Sequence, residues 1–166
     1  MITITEATAD DFGTIQDIAY KTWPVVYGEI LSTAQLQYML EAFYSVETLR
    51  DNTVNKGHHF ILGSEGDLCL GFASFQHHYL GQKVTRLHKI YLLPEAQGKG
   101  AGKLLVDAVA NYAKLNGSTV ISLNVNRFNS ALSFYEKLGF EIVGEEDIVL
   151  EHGYLMEDYM MEKQLR

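Results

Sequence analysis

A chain of 166 residues, 47% hydrophobic and 20% charged, can bury one substantial core, and this composition excludes disordered and fibrous classes. The formal net charge of −8 argues against nucleic acid or an anionic membrane as partner and favours cationic small molecules. The single cysteine, Cys69, excludes an internal disulfide, and no apolar run is long enough for a membrane span. We therefore expect one domain over residues 1–166 of a soluble, cytoplasmic protein.

The N-terminal third of the chain predicts one strand followed by helices. Alternating side chains indicate a strand over residues 2–6. Apolar residues at helical spacing then indicate a helix that begins near Thr8 and that Pro24 should end. A second helix begins at the capping box of Ser32, and a short third one covers about residues 45–55.

Beyond this region the hydrophobic period changes from about 3.6 residues to two, and strands alternate with helices. We expect strands at residues 59–63, 68–75, 84–93, 120–125, 140–150 and 154–162, and helices at 101–116 and 131–138. The order predicts an α/β (α+β) fold with a mixed central sheet of about seven strands flanked by about four helices.

The segment from Ile90 to Lys103 carries the clearest functional signal. A strand ends there, glycines alternate at Gly98, Gly100 and Gly102, and a long helix begins. The first backbone amides of a helix are unpaired donors, and glycines let the chain approach a bulky anion. The segment therefore predicts a cradle for a diphosphate.

Other glycine-rich motifs fit this segment poorly. In a Walker A loop, Gln97 would be glycine, and Leu104, which follows Lys103, would be Ser or Thr. The dinucleotide fingerprint needs a third glycine at position 103 and an acidic residue at the end of the next strand, and neither is present. A glycine-rich turn without a ligand remains an alternative, although the glycines then cost backbone entropy without a return in binding.

The remaining pattern is Gln-x-x-Gly-x-Gly, formed by Gln97, Gly100 and Gly102 after Pro94. It resembles the pyrophosphate-binding motif of the GCN5-related N-acetyltransferase (GNAT) superfamily. Residues 126–140 resemble the second signature of that superfamily. The N-terminal part, with Trp23, Tyr27 and residues 32–44, is similar to bacterial polyamine acetyltransferases of the PaiA type.

The resemblance implies a fold in which the fourth and fifth strands splay into a V that holds the pantetheine arm of acetyl-CoA. It implies direct transfer of the acetyl group to an amine. The strand residues would contact pantetheine, the glycine loop would hold the pyrophosphate, Lys103 could add charge, and Lys99 would be a solvated side chain. The implied cofactor-binding residues are Ile90, Tyr91, Leu92, Gln97, Gly98, Lys99, Gly100, Ala101, Gly102, Lys103, Asn129 and Tyr135. Asn126 is an alternative to Asn129, and either could simply cap the following helix.

Two residues are candidates for proton transfer. Tyr135 matches the tyrosine that protonates the departing thiolate in many members of the superfamily, and the alternative is a half-buried aromatic on an apolar helix face. The glutamate that often serves as base on the strand before the loop is replaced here by His88 and Arg86. Because arginine cannot accept a proton, His88 is the candidate base. His77, His78 or a chain of waters are the alternatives.

The acceptor amine is expected between the first two helices and the last hairpin. Trp23, Tyr27 and Tyr38 supply aromatic surface, and negative charge comes from Glu29, Glu41, Glu151 and Asp158. This points to a small cationic amine such as a polyamine, with acetylation of a protein or peptide amine, or a non-catalytic acyl-CoA sensor, as alternatives. No metal site is expected, because the paired histidines at 58–59 and 77–78 point to opposite faces of their strands. A homodimer is expected on family analogy alone.

Overall fold

The computed structural model describes residues 1–166 and contains seven strands and five α-helices. The strands are β1 (Ile2–Glu6), β2 (His58–Glu65), β3 (Leu68–Gln76), β4 (Val84–Leu92), β5 (Val120–Asn126), β6 (Glu141–Val149) and β7 (Leu155–Gln164). The helices are α1 (Phe12–Tyr27), α2 (Thr33–Tyr44), α3 (Val46–Val54), α4 (Ala101–Leu115) and α5 (Ala131–Lys137). The predicted order of elements is confirmed. The five helices, against about four in the predicted fold, include the short third one expected near residues 45–55, which Ser45 caps.

The seven strands form one sheet in the order β1-β2-β3-β4-β5-β7-β6. Neighbours are antiparallel except β4 and β5, which are parallel. The parallel pair is short: only residues 84–86 of β4 face residues 120–122 of β5. Beyond Arg86 the two strands separate, while β5 stays paired with β7 along its whole length. The predicted V between the fourth and fifth strands is therefore present.

A β-bulge lies in β4 where that strand leaves β5. Ser74 of β3 is opposite Lys89 and Phe75 is opposite Leu87, so His88 is an extra residue on β4. A bulge bends its strand and re-aims the side chains that follow. Accordingly Leu87 and Ile90, which are three residues apart, both pack into the same hydrophobic cluster.

Each face of the sheet is covered by its own hydrophobic cluster. On one side, which we call the α1 face, Trp23 of α1 and Tyr44 of α2 pack against sheet residues such as Phe72. On the other, the α4 face, α4 and α5 pack through residues such as Leu105 and Tyr135. No helix in the structure is both long enough and apolar enough to cross a bilayer.

Helix α1 continues past Pro24, where the sequence predicts its end, and stops at Tyr27. Proline removes one helical hydrogen bond, but the last turn buries Trp23 and Tyr27 on one face of the helix. Gly28 N–H donates to the Pro24 carbonyl at 3.0 Å and closes that turn. Burial of two aromatic side chains thus sustains the helix for one turn beyond its proline.

Two glycine substitutions test the packing of the sheet. A Cβ on Gly71 of β3 would lie 2.6 Å from the Tyr91 carbonyl oxygen, so Gly71→Ala should lower the free energy of unfolding by about 1–3 kcal/mol. Gly13 of α1 has open space around it, so Gly13→Ala should raise the free energy of unfolding by about 0.5 kcal/mol. Urea denaturation measures both, and equal effects of the two substitutions would contradict the packing described here.

Candidate acetyl-donor cleft

A cleft of about 400 Å³ opens where β4 and β5 separate. Its walls are the second halves of these strands, the loop before α4, and α5. Every residue predicted to contact the cofactor lines this cleft except Lys99. The other lining residues are Val26, Tyr27, Leu87, His88, Lys89, Ala96, Leu123, Asn124, Val125, Ser130, Ala131 and Phe134. The structure therefore brings two distant sequence signatures together around one cavity.

The glycine loop has the geometry of an anion cradle. Gly98 and Gly100 both have φ near +80°, a backbone conformation that other residues adopt only with strain. Gly100 directly precedes α4, so the unpaired amides of the first turn of a 15-residue helix face the cleft mouth. Gly102 serves packing, because a Cβ there would lie 3.1 Å from the Phe134 ring of α5.

Two lysines border this loop. Lys103 Nζ lies 2.7 Å from Asp107, and Lys99 Nζ lies 3.0 Å from Glu65. Exposed ion pairs of this kind contribute roughly 0–1 kcal/mol, so either ammonium can turn towards a phosphate at little cost. Lys99 lies outside the cleft wall and is partly exposed, which agrees with the prediction of a solvated side chain.

The β4 edge offers hydrogen bonds to an extended ligand. Beyond Arg86 this edge has no neighbouring strand, although β3 holds the other edge of β4 as far as Leu92. Backbone N–H and C=O groups on an open edge bind an amide-containing arm as they would bind another strand. Ile90, Tyr91 and Leu92, which are predicted to contact pantetheine, lie on this open edge and line the cleft.

Tyr135 of α5 lines the cleft next to Phe134. Its side chain is only 8% exposed and packs against the rings of Phe134 and Phe140. Burial raises the pKa of its phenol above the ordinary value of 10, and nearby Tyr27 raises it further. Tyr135 is therefore protonated at neutral pH and is a hydrogen-bond donor within the cleft.

A pair of tyrosines forms the α1 side of the cleft. The hydroxyls of Tyr27 and Tyr91 lie 2.9 Å apart, and burial raises the pKa of both phenols. Trp23, predicted to bind substrate, does not line the cleft. It is 3% exposed and packs 4.7 Å from the Tyr27 ring and 5.7 Å from the Tyr91 ring, so it supports this wall from behind.

His88, the candidate base, does line the cleft. Its Nε2 donates to the Gln76 side-chain oxygen at 3.0 Å, and its ring stacks on His58 at 4.0 Å. Burial, with His58 and nearby Arg86 adding to it, lowers the pKa of His88 to about 3. The ring is neutral at physiological pH, and at this pKa it is a weak proton acceptor. His77 instead bonds to Thr85 through Nδ1.

The structure adds Lys89 to the cleft wall, which sequence reasoning missed. The bulge at His88 turns it towards the α1 face, where Nζ lies 5.0 Å from the centre of the Tyr44 ring and 5.6 Å from that of Phe60. Burial lowers the pKa of Lys89 to about 8. No sequence signal identifies this residue, because its orientation depends on the bulge.

Tyr38, also predicted to bind substrate, does not line the cleft. Its hydroxyl donates to Glu151 at 3.2 Å, and Gln35 donates to the Leu155 carbonyl oxygen at 2.8 Å. These contacts fasten α2 to the hairpin of β6 and β7. Of the four acidic residues predicted near the acceptor, Asp158 is the one that is buried.

The two candidate asparagines each bond to a backbone amide two residues ahead, Asn129 at the first residue of α5 and Asn126 in the segment before that helix. The Asn129 side-chain oxygen accepts from Ala131 N–H at 2.9 Å, and the Asn126 side-chain oxygen accepts from Phe128 N–H at 2.9 Å. Only Asn129 lines the cleft. No three His, Cys, Asp or Glu side chains in the structure are grouped as metal ligands would be.

Comparisons with known proteins agree with this geometry. The model of the acetyltransferase (GNAT) family matches residues 14–140. The chain is 29% identical to a spermidine N(1)-acetyltransferase of Thermoplasma acidophilum, over 92% of this chain and 98% of that protein. It is 31% identical to a 5-NmdU N-acetyltransferase of Pseudomonas phage PaMx11, over 77% of this chain and 89% of that protein. The crystal structure of PaiA N-acetyltransferase from Thermoplasma acidophilum, in complex with coenzyme A, superposes with a TM-score of 0.83 at 25% identity over 99% of each chain.

The loop can be tested with two glycines of equal backbone strain. Gly100 and Gly117 have φ of +80° and +81°, and no atom lies near a Cβ at either position. Each Gly→Ala change should therefore cost about 1 kcal/mol of unfolding free energy. Only Gly100→Ala should weaken coenzyme A binding, by about tenfold, because it alters the amide cradle. Calorimetric titration with coenzyme A measures this, and equal affinity of the two variants would contradict the cradle.

Proposed function

The chain belongs to the acetyltransferase (GNAT) family, and from that premise we propose that it acetylates a small cationic amine such as a polyamine. It is an acetyl-CoA-dependent N-acetyltransferase, so the open question is the acceptor. The observation that carries the proposal is the charge of the last hairpin. Residues 141–158 contain no Lys or Arg and seven acidic residues: Glu141, Glu145, Glu146, Asp147, Glu151, Glu157 and Asp158.

This acidic hairpin, defined as residues 141–158, lies near the α1 side of the cleft, although none of its residues lines the cleft wall. Its turn contacts Tyr38 of α2, and Asp158 acts electrostatically on cleft-lining Tyr27. A local excess of one charge raises the concentration of oppositely charged ligands near a site. The similarity to a spermidine acetyltransferase over 92% of the chain supports the same acceptor class.

Different residues of the cleft would bind the donor and transfer protons. Bound acetyl-CoA supplies the acetyl group as a thioester. The amides at the start of α4 fit its pyrophosphate, and the open β4 edge fits its pantetheine arm. We propose that Tyr135 donates a proton to the departing thiolate, since it is protonated and lines the cleft.

Replacing the Tyr135 hydroxyl tests its role. Tyr135→Phe should lower kcat by about 100-fold and leave the affinity for coenzyme A nearly unchanged, because it removes a proton donor and little packing. Tyr112→Phe is the matched control, since its hydroxyl bonds to Glu6 outside the cleft. Steady-state release of free thiol measures both variants, and full turnover by Tyr135→Phe would exclude it as the acid.

The acceptor class can be tested with amines that differ in one charge. Putrescine and butylamine share a four-carbon chain, but only putrescine keeps a second ammonium when one end reacts. We expect kcat/KM to be about tenfold higher for putrescine, and this ratio to fall at high salt as the acidic hairpin is screened.

The comparison is made within a panel of spermidine, amino acids and short peptides, with thiol release as readout. Equal rates for putrescine and butylamine would contradict a role for the acidic hairpin. Turnover of peptides alone would indicate a protein amine as acceptor. Binding of acetyl-CoA without any turnover would indicate a sensor.

A further inference from the structure

Asp158 of β7 is the one acidic side chain of the chain that is buried, at 3% exposed. Its Oδ1 atom has no hydrogen-bond partner in the protein. A buried carboxylate with an unpaired oxygen lowers the free energy of unfolding. Such destabilising ionisable groups are concentrated at functional sites. Whether Asp158 can take part in the reaction depends on where it lies relative to the cleft.

Charged and polar groups from several elements surround this carboxylate. Burial raises the pKa of Asp158, and the charge of Glu146 of β6 raises it further. The Asn124 amide of β5, Arg86 of β4 and Arg127 after β5 lower this pKa. These two guanidinium groups are engaged elsewhere, because Arg86 donates to Ser122 at 3.2 Å and Arg127 to Asp147 at 2.6 Å. Asp158 is thus flanked by both signs of charge, and its Oδ1 is left unpaired.

The neighbours of Asp158 lie in the wall of the cleft. Asn124 and Tyr27 both line it, and the Asp158 charge raises the pKa of the Tyr27 phenol. Tyr27 in turn raises the pKa of the phenol of Tyr135, the proposed acid. Asp158 itself is not among the lining residues, but it lies close to these neighbours on the α1 face, where Met156, two residues away on the same strand, also packs.

We propose that Asp158 is the base that takes the proton from the acceptor amine, a role that rests on the proposed function. The acceptor arrives as an ammonium and transfers one proton to the unpaired carboxylate oxygen, directly or through one water. The neutral nitrogen then attacks the thioester carbon, so that the C–N bond forms and the C–S bond breaks. Tyr135 protonates the thiolate, the second proton of the nitrogen restores the Tyr135 hydroxyl, and Asp158 releases its proton to solvent.

The geometry favours Asp158 over His88 for this step. His88 donates through Nε2 to Gln76 and has a pKa of about 3. Asp158 carries the negative charge that attracts an ammonium, and its burial makes it a stronger base than an exposed aspartate. Sequence spacing indicates His88 because the family pattern is counted back along β4, whereas Asp158 lies on β7, near Tyr27 and Asn124 of the cleft wall.

The first test is Asp158→Asn, which keeps the shape of the side chain and removes the base. Using the amine that the wild-type protein acetylates best, we expect kcat to fall by at least about 100-fold while the affinity for coenzyme A is unchanged. The rate of the variant should rise with pH, because more of the amine is then already neutral in solution. Asp17→Asn is the matched control: it makes the same change at an exposed position of α1, outside both the cleft and the acidic hairpin, and should keep kcat.

Stability provides a readout that separates this role from a structural one. Because the folded-state pKa of Asp158 is raised, its carboxylate destabilises the fold once pH rises through the ordinary Asp range and above the folded pKa. Asp158→Asn should therefore have a Tm equal to or above that of the wild-type protein at neutral pH, and the gain should vanish in acid. A lower Tm at neutral pH would indicate a structural acid and overturn the proposal.

Chemical rescue covers the case in which the Asn variant folds poorly. Asp158→Ala leaves room for a small carboxylate, and formate should restore at least part of its turnover if Asp158 is the base. Unchanged kcat in Asp158→Asn, a change confined to KM for the amine, or loss of turnover in His88→Gln alone would each overturn the assignment. Absence of turnover by the wild-type protein with every amine would instead overturn the proposed function itself.

Discussion

The short pairing between β4 and β5 is the constraint on which the site depends. After residues 84–86 and 120–122 the two strands part, yet each keeps a partner on its other edge, β3 for β4 and β7 for β5. Neither strand can collapse across the gap without losing that second ladder of hydrogen bonds. The gap therefore persists in the middle of the sheet, and the N-terminus of α4 and residues of α5 line it. A donor cleft results from an interruption in pairing.

Burial shifts the pKa values of five titratable side chains of this cleft in the direction of their neutral forms. It raises the pKa of Tyr27, Tyr91 and Tyr135, and it lowers that of His88 and Lys89. One physical cause, the loss of hydration, thus creates neutral donors and removes a basic histidine. An ammonium that enters such a site must be paired with a negative charge or lose its proton. The Asp158 carboxylate can pair with the ammonium and can also accept its proton.

Local signals in the sequence predict most of the fold and most of the residues that line the cleft. Capping residues, the glycine loop and the period of two predict the order of the elements, whereas Pro24 does not end its helix. The acceptor end was harder. The sequence predicts Trp23 as a substrate contact because an aromatic residue that lines a cleft and one that packs behind its wall have the same sequence pattern. The burial of Trp23 depends on its packing against Tyr44 and Tyr91. The bulge at His88 and the burial of Asp158 arise from strand pairings between distant segments, which periodicity does not report.

The charge of the protein acts differently outside the cleft and within it. On the exposed acidic hairpin, carboxylates keep their hydration and attract cations over a distance of about a Debye length. Inside, the same ammonium would lose hydration that the buried walls cannot replace, and it is also the wrong protonation state for attack on a thioester. A molecule with two amines reconciles these demands, since one nitrogen can be neutralised at Asp158 while the other stays charged beside the hairpin. The separation of an acidic surface from a poorly hydrated reaction site therefore favours an acceptor with more than one amine.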